Sequence, residues 1–369
     1  MLSLLLLAPR PSVDFRFSEE QDALRAAVRA FVDDWVVTHD ARDGLAESDW
    51  DAMTRLGWTG LLVPEEHGGL GLGLVDAAVV LEETGRVAFP GPYFASAVIA
   101  TITARRLGCE DLLRGLAEGG RGTVALEESG AGDPVDRVRT SARRKGADWV
   151  LSGVKPIVLN AVGADWILVA ARTPDGLATF KATQPEIEAV TTLDATRAVG
   201  RLVLDNTLAE PVGPLGDHTA SWRAIGDDTA IALSAELLGV CDASLAMAMS
   251  YAEQRVQFDQ PLAAHQVIQH KLVDMLHATE LGRVGVHYAA WASDVGDPDM
   301  SRAVSIAKSQ MGEAAVMVTG ENIQVHGAVG FTWESRAGVL YQRAKQNDVL
   351  GGGQSWHRSR VADHVLGPT

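Results

Sequence analysis

The feature that most restricts the folds open to this chain is a change in the spacing of its apolar residues. From about Ser18 to Glu118 the apolar residues recur at helical spacing, and Ser18 followed by Gln21 predicts the start of the first helix. From about Gly122 to Pro214 they form short β-branched runs separated by turn residues, and helical spacing then returns. We therefore predict a mainly α-helical protein with one β insert.

Three domains are expected in that order. They are an N-terminal helical domain over residues 1–120, a small β-barrel-like domain over 121–215 and a C-terminal four-helix bundle over 216–369. The first residues, MLSLLLLAP, form an apolar run that is too short to cross a membrane and has no basic segment before it. No later apolar run is long enough to cross a membrane either, so we predict no membrane association.

Charge and cysteine content narrow the classes of partner. Lys and Arg number 32 against 48 Asp and Glu, and the formal net charge of −16 argues against nucleic acid as a partner. A few arginines could still hold an anionic small ligand. The two cysteines, Cys109 and Cys241, exclude a disulfide framework and multi-cysteine metal sites. We predict no metal site and a cytoplasmic location.

Three segments carry residues suited to chemistry. The string Arg255-Val-Gln-Phe-Asp-Gln-Pro-Leu lies between two predicted helices, where the Arg255 fork could hold a pyrophosphate and Phe258 could pack on a ring. A solvated arginine at a helix corner is the simpler alternative. The second segment, from Gln324, breaks a long helix at Gly327 and could present backbone N–H groups to an anion. The third, Leu126-Glu-Glu-Ser-Gly-Ala-Gly-Asp, opens the β zone.

The order and spacing of these segments resemble the acyl-CoA dehydrogenase family, from Val13 onward. The strongest marks are the Leu62-Val-Pro-Glu-Glu-His-Gly-Gly loop, the Arg255–Gln266 segment and the Gln324–Phe331 segment. The resemblance implies non-covalent FAD, oxidation of an acyl-CoA thioester to its 2,3-enoyl form, and electron-transfer flavoprotein as the electron acceptor.

The resemblance also implies which residues contact the cofactor. In this family the bundle of one subunit supplies the adenine and pyrophosphate contacts for the FAD of its neighbour. The matching positions here are Arg255, Gln257, Phe258, Leu262, His265, Ile268, Gln324 and Gly327. Asp259 departs from the family, which usually has Gly there.

On the flavin-ring side the sequence departs further from the family. Glu127 stands where the family has Thr, and the strand that usually reads Lys-x-Trp-Ile-(Thr/Ser)-Asn is Lys155-Pro-Ile-Val-Leu-Asn160. An ionised Glu127 close to a reduced, anionic flavin would repel it. We therefore expect the β domain of this chain to hold a flavin poorly.

The reaction needs a carboxylate base that takes the α proton, because the flavin supplies only the hydride acceptor. The family places this Glu at one of two positions, which correspond here to Gly351 and Thr229. Asp227 and Asp228 precede Thr229 and could serve after a small shift, although such an acidic pair is also typical of a helix start. Glu236 follows on the same predicted helix among apolar neighbours.

Two enzyme hypotheses follow. In the first, this chain resembles the base-less subunit of actinobacterial α2β2 acyl-CoA dehydrogenases of steroid side-chain catabolism, and a second homologue supplies the Glu. In the alternative it is a self-sufficient homotetramer that uses Asp228 or Asp227 as the base. A non-catalytic scaffold and a flavin monooxygenase on the same fold are further alternatives.

Overall fold

Ser18 begins the first helix, as the sequence predicts. Its side chain accepts a hydrogen bond from the backbone N–H of Gln21, whose side chain accepts one from the N–H of Ser18. The computed structural model describes residues 16–130 and 132–367, so the apolar run at the start lies outside the described residues. The helices before the β zone are α1 (Glu19–Thr38), α2 (Glu47–Arg55), α3 (Leu74–Gly85), α4 (Thr101–Arg106) and α5 (Glu110–Ala117), with a π-helical segment over Tyr93–Ala100.

The central zone folds into a barrel-like sheet. Its strands are β1 (Gly122–Ala125), β2 (Ser141–Lys145), β3 (Asp148–Leu159), β4 (Trp166–Thr173), β5 (Gly176–Ala182), β6 (Glu186–Val190) and β7 (Val199–Pro211). The pairing order is β1-β4-β2-β3-β7-β5, and β5 also pairs with β4, so five strands close into a ring. Inside the ring the strands bury Leu151, Val169, Phe180 and Leu202.

Five helices form the C-terminal region. They are α6 (Thr219–Gln254), α7 (Gln266–Asp294), α8 (Met300–His326), α9 (Arg336–Val349) and α10 (Gln354–Leu366). Helices α6–α9 pack together as a bundle, and α10 lies along α8. By length and hydropathy α6 could cross a membrane, but 78% of its most apolar window is buried inside the protein. The predicted order of helical domain, β domain and bundle is confirmed.

The three regions meet around α6. Helices α3 and α6 approach so closely that a Cβ on Gly239 would lie 1.8 Å from the carbonyl oxygen of Glu82. The predicted boundary after residue 120 lies between α5 and β1, and the one after 215 lies between β7 and α6. This arrangement brings the loops of the β domain against the first half of α6.

A buried charge cluster joins the β domain to the bundle. Arg343 of α9 donates to Asp194 and to Glu236 of α6, at 2.5 Å each, and Arg197 donates to Glu236 at 2.6 Å. Asp194 and Arg197 belong to the loop between β6 and β7, and every member of the cluster is buried. Two acids and two arginines thus compensate one another's charges inside the protein.

Candidate active site

A cavity of about 290 Å³ lies where the three regions meet. The π-helical segment, the β domain, α6 and the loop after α9 each contribute side chains to its wall. Its apolar lining includes Phe94, Ile99, Val135, Leu159, Trp222, Ile225, Leu233 and Leu350. Charged side chains also line the cavity, and most of them already form ion pairs with other side chains. The cavity therefore suits an apolar group better than a free ion.

Glu127 is a charged group at this wall whose environment resists ionisation. Burial raises the pKa of its carboxyl, while the charges of Arg137 and Lys155 and the backbone N–H of Gly351 oppose that rise. Arg137 donates to it at 2.8 Å. The carboxyl expected from the sequence thus lines the cavity and lies near the loop that contains Gly351.

Lys155 lies behind this wall and is fully buried. Its Nζ donates to Glu128 Oε1 at 2.7 Å and to the carbonyl of Leu126 at 3.0 Å. Burial lowers the pKa of Lys155 to about 8. Ile157, two residues further along β3, lines the cavity where the family usually has Trp. Lys155 therefore fixes the segment that directly follows β1. The same strand presents the aliphatic side chain of Ile157 to the cavity.

The two candidate bases on α6 have separate surroundings. Asp227 lines the cavity and accepts from Arg360 at 2.7 Å. Asp228 is not among the cavity-lining residues, and it accepts from Arg106 Nε at 2.5 Å and from the Ser293 hydroxyl at 2.7 Å. The alternative that the pair begins a helix is wrong, because α6 begins at Thr219 and both carboxylates are buried inside it.

Position 351 reaches the cavity without a side chain. Gly351 has φ +67°, and a Cβ there would lie 2.9 Å from Leu233 Cδ1. His357 Nε2 donates to the Gly351 carbonyl at 3.0 Å and so holds the loop in place. Burial lowers the pKa of His357 to about 3, so the ring is neutral at physiological pH. The backbone here has adopted a conformation that disfavours the glutamate of the family.

Glu236 does not have the apolar surroundings that the sequence suggested. It accepts from Arg197, Arg343 and the Asn347 side chain within the buried charge cluster. These contacts hold the pKa of its carboxyl below the ordinary value despite the opposing effect of burial. The sequence neighbours of Glu236 are apolar, but they could not reveal these partners, which come from remote parts of the chain.

The Arg255 segment forms a hairpin at the end of α6. Arg255 is the C-cap of α6, and β8 (Val256–Gln257) pairs with β9 (Gln260–Pro261). Phe258 and Asp259 form the tip with φ values of +55° and +63°, and Phe258 is 87% exposed. Asp259 thus occupies a conformation that favours the glycine usual in the family.

The remaining predicted cofactor contacts lie around this hairpin. His265 contacts the carbonyl of Gln257 at 3.3 Å, and the half-buried Leu262 and Ile268 flank it in the chain. Gln324 is exposed at the end of α8, and Gly327 ends that helix with φ +61°.

The two segments lie at the same end of the bundle, because the rings of Tyr251 and His326 stack at 4.3 Å between centroids. Sequence reasoning did not find Tyr251, whose only local signal is its place one helical turn before Arg255. It also missed Arg137 and Arg360, which bind the cavity carboxylates.

Comparison with known proteins agrees with this geometry. The chain matches "Acyl-CoA dehydrogenase, N-terminal domain" over residues 18–133 and "Acyl-CoA dehydrogenase, C-terminal domain" over residues 227–366. The probable acyl-CoA dehydrogenase FadE25 of Mycobacterium tuberculosis is 27% identical over 375 residues, which cover 94% of this chain and 95% of that protein.

Two solved structures of complexes are also similar. A variant of the steroid ACAD Tcur3481-Tcur3483 is 32% identical, with 94% of this chain and 98% of that chain covered at a TM-score of 0.84. The ChsE4-ChsE5 complex from Mycobacterium tuberculosis is 26% identical, with 97% and 100% covered at a TM-score of 0.86. With its matched domains, its fold and its cavity at the junction of all three regions, this chain belongs to the acyl-CoA dehydrogenase family of oxidoreductases.

Proposed function

We propose that this chain is one subunit of a heteromeric, FAD-dependent acyl-CoA dehydrogenase and that its partner supplies the catalytic carboxylate. The observation that carries the proposal is the contrast between the Arg255 segment and position 351 of this chain. Arg255 is exposed and makes no ion pair within residues 16–130 and 132–367, so its guanidinium is available to a diphosphate. Gly351 offers no carboxylate, and its backbone disfavours one.

The residues at the hairpin fit the nucleotide end of FAD. Arg255 could pair with the pyrophosphate, and Phe258 offers an exposed ring that could pack on the adenine. Gln324 and the N–H groups near Gly327 could supply further donors. When bound, FAD supplies the hydride acceptor for the oxidation of the acyl group.

The β domain of this chain fits a flavin ring poorly. Glu127 presents a carboxyl to the cavity, and the Ile157 side chain replaces a large aromatic. An ionised carboxylate beside a reduced flavin costs electrostatic energy in a site of low dielectric. We therefore propose that this chain contributes mainly the nucleotide contacts, to a flavin whose ring is held by the partner.

A partner of the same fold is supported by an exposed apolar stripe on α7. Val273, Leu276, Leu281 and Val284 share one face of this helix and are all exposed. Apolar faces of this kind mark protein–protein interfaces. The similarity to the Tcur3481-Tcur3483 and ChsE4-ChsE5 complexes supports an α2β2 assembly acting on a bulky, steroid-linked acyl-CoA. Electron-transfer flavoprotein is proposed as the electron acceptor, in the cytoplasm.

The contacts of the acidic pair weigh against the self-sufficient homotetramer. Asp228 is held by Arg106 and Ser293, and Asp227 by Arg360. These contacts direct both carboxylates towards an arginine, so neither is free to reach a substrate carbon. A non-catalytic scaffold is disfavoured by Arg255, whose guanidinium makes no ion pair within the described residues. A scaffold does not need an arginine that is free to bind phosphate.

Co-expression with an acyl-CoA dehydrogenase homologue that carries the family Glu would test the proposal. The lone chain should purify without stoichiometric flavin and without turnover, and the pair should bind FAD and form enoyl-CoA. In the pair, R255A should weaken FAD binding, whereas R358A, which removes an exposed arginine of α10, should leave it unchanged. Full flavin occupancy and turnover by the lone chain would refute the proposal.

A further inference from the structure

Tyr251 connects the two segments that we assign to the nucleotide. We propose that it is a positioning residue: by stacking on His326 it holds the Arg255 hairpin against the end of α8. The donors of both segments then face one ligand. This inference rests on the proposed function, because it concerns the same FAD contacts.

The backbone and the ring of Tyr251 act at different places. Its carbonyl accepts the N–H of Arg255 at 2.9 Å, which is the bond that ends α6. Its ring stacks on His326 with 4.3 Å between the centroids and 28° between the planes. One residue thus takes part in both the end of α6 and the contact with His326, so the stack restrains the backbone from which the hairpin starts.

His326 is itself fixed. Its Nδ1 lies 2.8 Å from the carbonyl of Asn322, one turn earlier in α8, so this nitrogen donates and the ring orientation is set. Gly327 follows directly and ends the helix. The stack consequently joins the last turn of α6 to the last turn of α8.

The Arg255 hairpin has few other contacts that could fix its position relative to α8. Within the part of the chain that the structure describes, its hydrogen bonds lead back to α6 or forward to the start of α7. The Leu262 N–H donates to the Arg255 carbonyl at 2.8 Å, and His265 contacts Gln257 and Gln260. These bonds shape the hairpin but do not reach α8. In addition to the packing of α6 against α8, the Tyr251–His326 stack constrains the start of the hairpin relative to the end of α8.

Preorganisation is the physical reason that this constraint matters. An exposed Arg255 whose base is free to move loses more freedom when it binds a diphosphate than one whose base is fixed. A stacked aromatic pair contributes enough to change affinity by about three- to tenfold. Loss of the stack should therefore weaken FAD binding without removing any group that touches FAD.

The test measures FAD release from the co-expressed holo-complex by recovery of flavin fluorescence after dilution. Y251L should accelerate release about three- to tenfold, and Y251F, which keeps the ring, should restore the original rate. Y288L removes a half-buried tyrosine that stacks on Trp291 elsewhere in the bundle and should leave the rate unchanged. The KM for acyl-CoA should stay unchanged in all three variants.

Equal release from Y251L and the unaltered complex would overturn the inference, as would failure of Y251F to restore the rate. If Y251L does not fold, H326A tests the other half of the same stack. Where Y251L does fold, combining it with H326A should add little to either substitution alone. The R255A variant distinguishes failure of the proposed function from failure of the role inferred for Tyr251. Unchanged release in R255A refutes the proposed function, whereas slow release in Y251L beside fast release in R255A refutes only the role of Tyr251.

Discussion

Leu233 Cδ1 lies 2.9 Å from the point at which a Cβ on Gly351 would stand. Gly351 also has φ +67°, a conformation that costs a residue with a side chain about 1–2 kcal/mol. Position 351 therefore lacks both a carboxylate and a backbone conformation that favours a side chain. A single substitution should not recover this site.

We predict that G351E produces no dehydrogenase activity in the lone chain and lowers its free energy of unfolding by about 2 kcal/mol. G351A should cause most of this loss, because the positive φ disfavours any side chain and the first carbon must also displace the Leu233 methyl group. Urea unfolding of the variants measures it. Gly353 provides the matched control, since a Cβ there meets nothing within 4 Å. Turnover by G351E alone would contradict the prediction.

Asp228 should matter for stability rather than for proton transfer. It is 2% exposed and binds both Arg106 and Ser293, so D228N weakens an ion pair inside the protein. We expect a loss of about 2 kcal/mol in the free energy of unfolding, since the partially exposed Arg106 moderates the effect. Urea unfolding and turnover per folded complex are to be measured together.

The exposed Asp363 of α10 offers a control, and D363N should change neither quantity. A fall in turnover of about a hundredfold in D228N, with stability unchanged, would instead assign general-base catalysis to this residue.

Local patterns predicted the parts of the fold that depend on local chemistry. The capping pair Ser18 and Gln21 marked the start of α1, and apolar spacing predicted the helical C-terminal region that contains α6, α7 and α8. Strand β2 (Ser141–Lys145) could not be found in this way, because it buries only Ala142 and has no apolar alternation. Its place in the barrel comes from pairing with β3, which no local pattern reveals.

The surroundings of Glu236 show the same limit at the candidate site. Its partners Arg197 and Arg343 lie 39 and 107 residues away in the chain. The apolar residues beside Glu236 in sequence therefore say nothing about the charges that it meets across the fold. The place of the Arg255 segment between two helices was easier to predict, since the end of α6 is encoded within a few residues, although the pairing of β8 with β9 was not predicted.

His357 should make the folded protein sensitive to mild acid. Burial, together with the nearby charges of Lys308 and Arg360, lowers its pKa from 6.5 to about 3. Below pH 6.5 the unfolded chain takes up a proton that the folded protein refuses. Stability should thus be fully present above pH 6.5 and decline towards pH 3, by at most about 1.4 kcal/mol per pH unit from this group.

Urea unfolding over this pH range checks the effect. H357Q should be less stable than the unaltered chain at neutral pH, because it loses fitted contacts to Gly351 and Ser305. Its stability should also change less between pH 6.5 and 3, because glutamine does not titrate. H364Q, which alters an exposed histidine of the same helix, should keep the original slope. Equal slopes in H357Q and the unaltered chain would show that His357 is not the titrating group.

Glu127 should decide how much flavin the β domain of this chain accepts. Burial raises the pKa of its carboxyl, so the folded protein holds the proton more tightly than the unfolded chain does. The stability linked to this group is therefore greatest below its ordinary pKa of 4.5 and is lost as pH rises through the folded value. Ionisation of this carboxyl is a cost to the folded protein, balanced in part by Arg137.

We predict that E127Q is more stable than the unaltered chain at neutral pH and that this advantage disappears below pH 4.5. E127T, which restores the hydroxyl usual in the family, should raise the FAD content of the co-expressed complex as read from flavin absorbance per protein. E186Q, which removes an exposed carboxylate from β6, should leave the content unchanged. If E127T binds no more flavin than E186Q, the carboxylate is not what excludes the ring, and the aliphatic Ile157 becomes the side chain to exchange next.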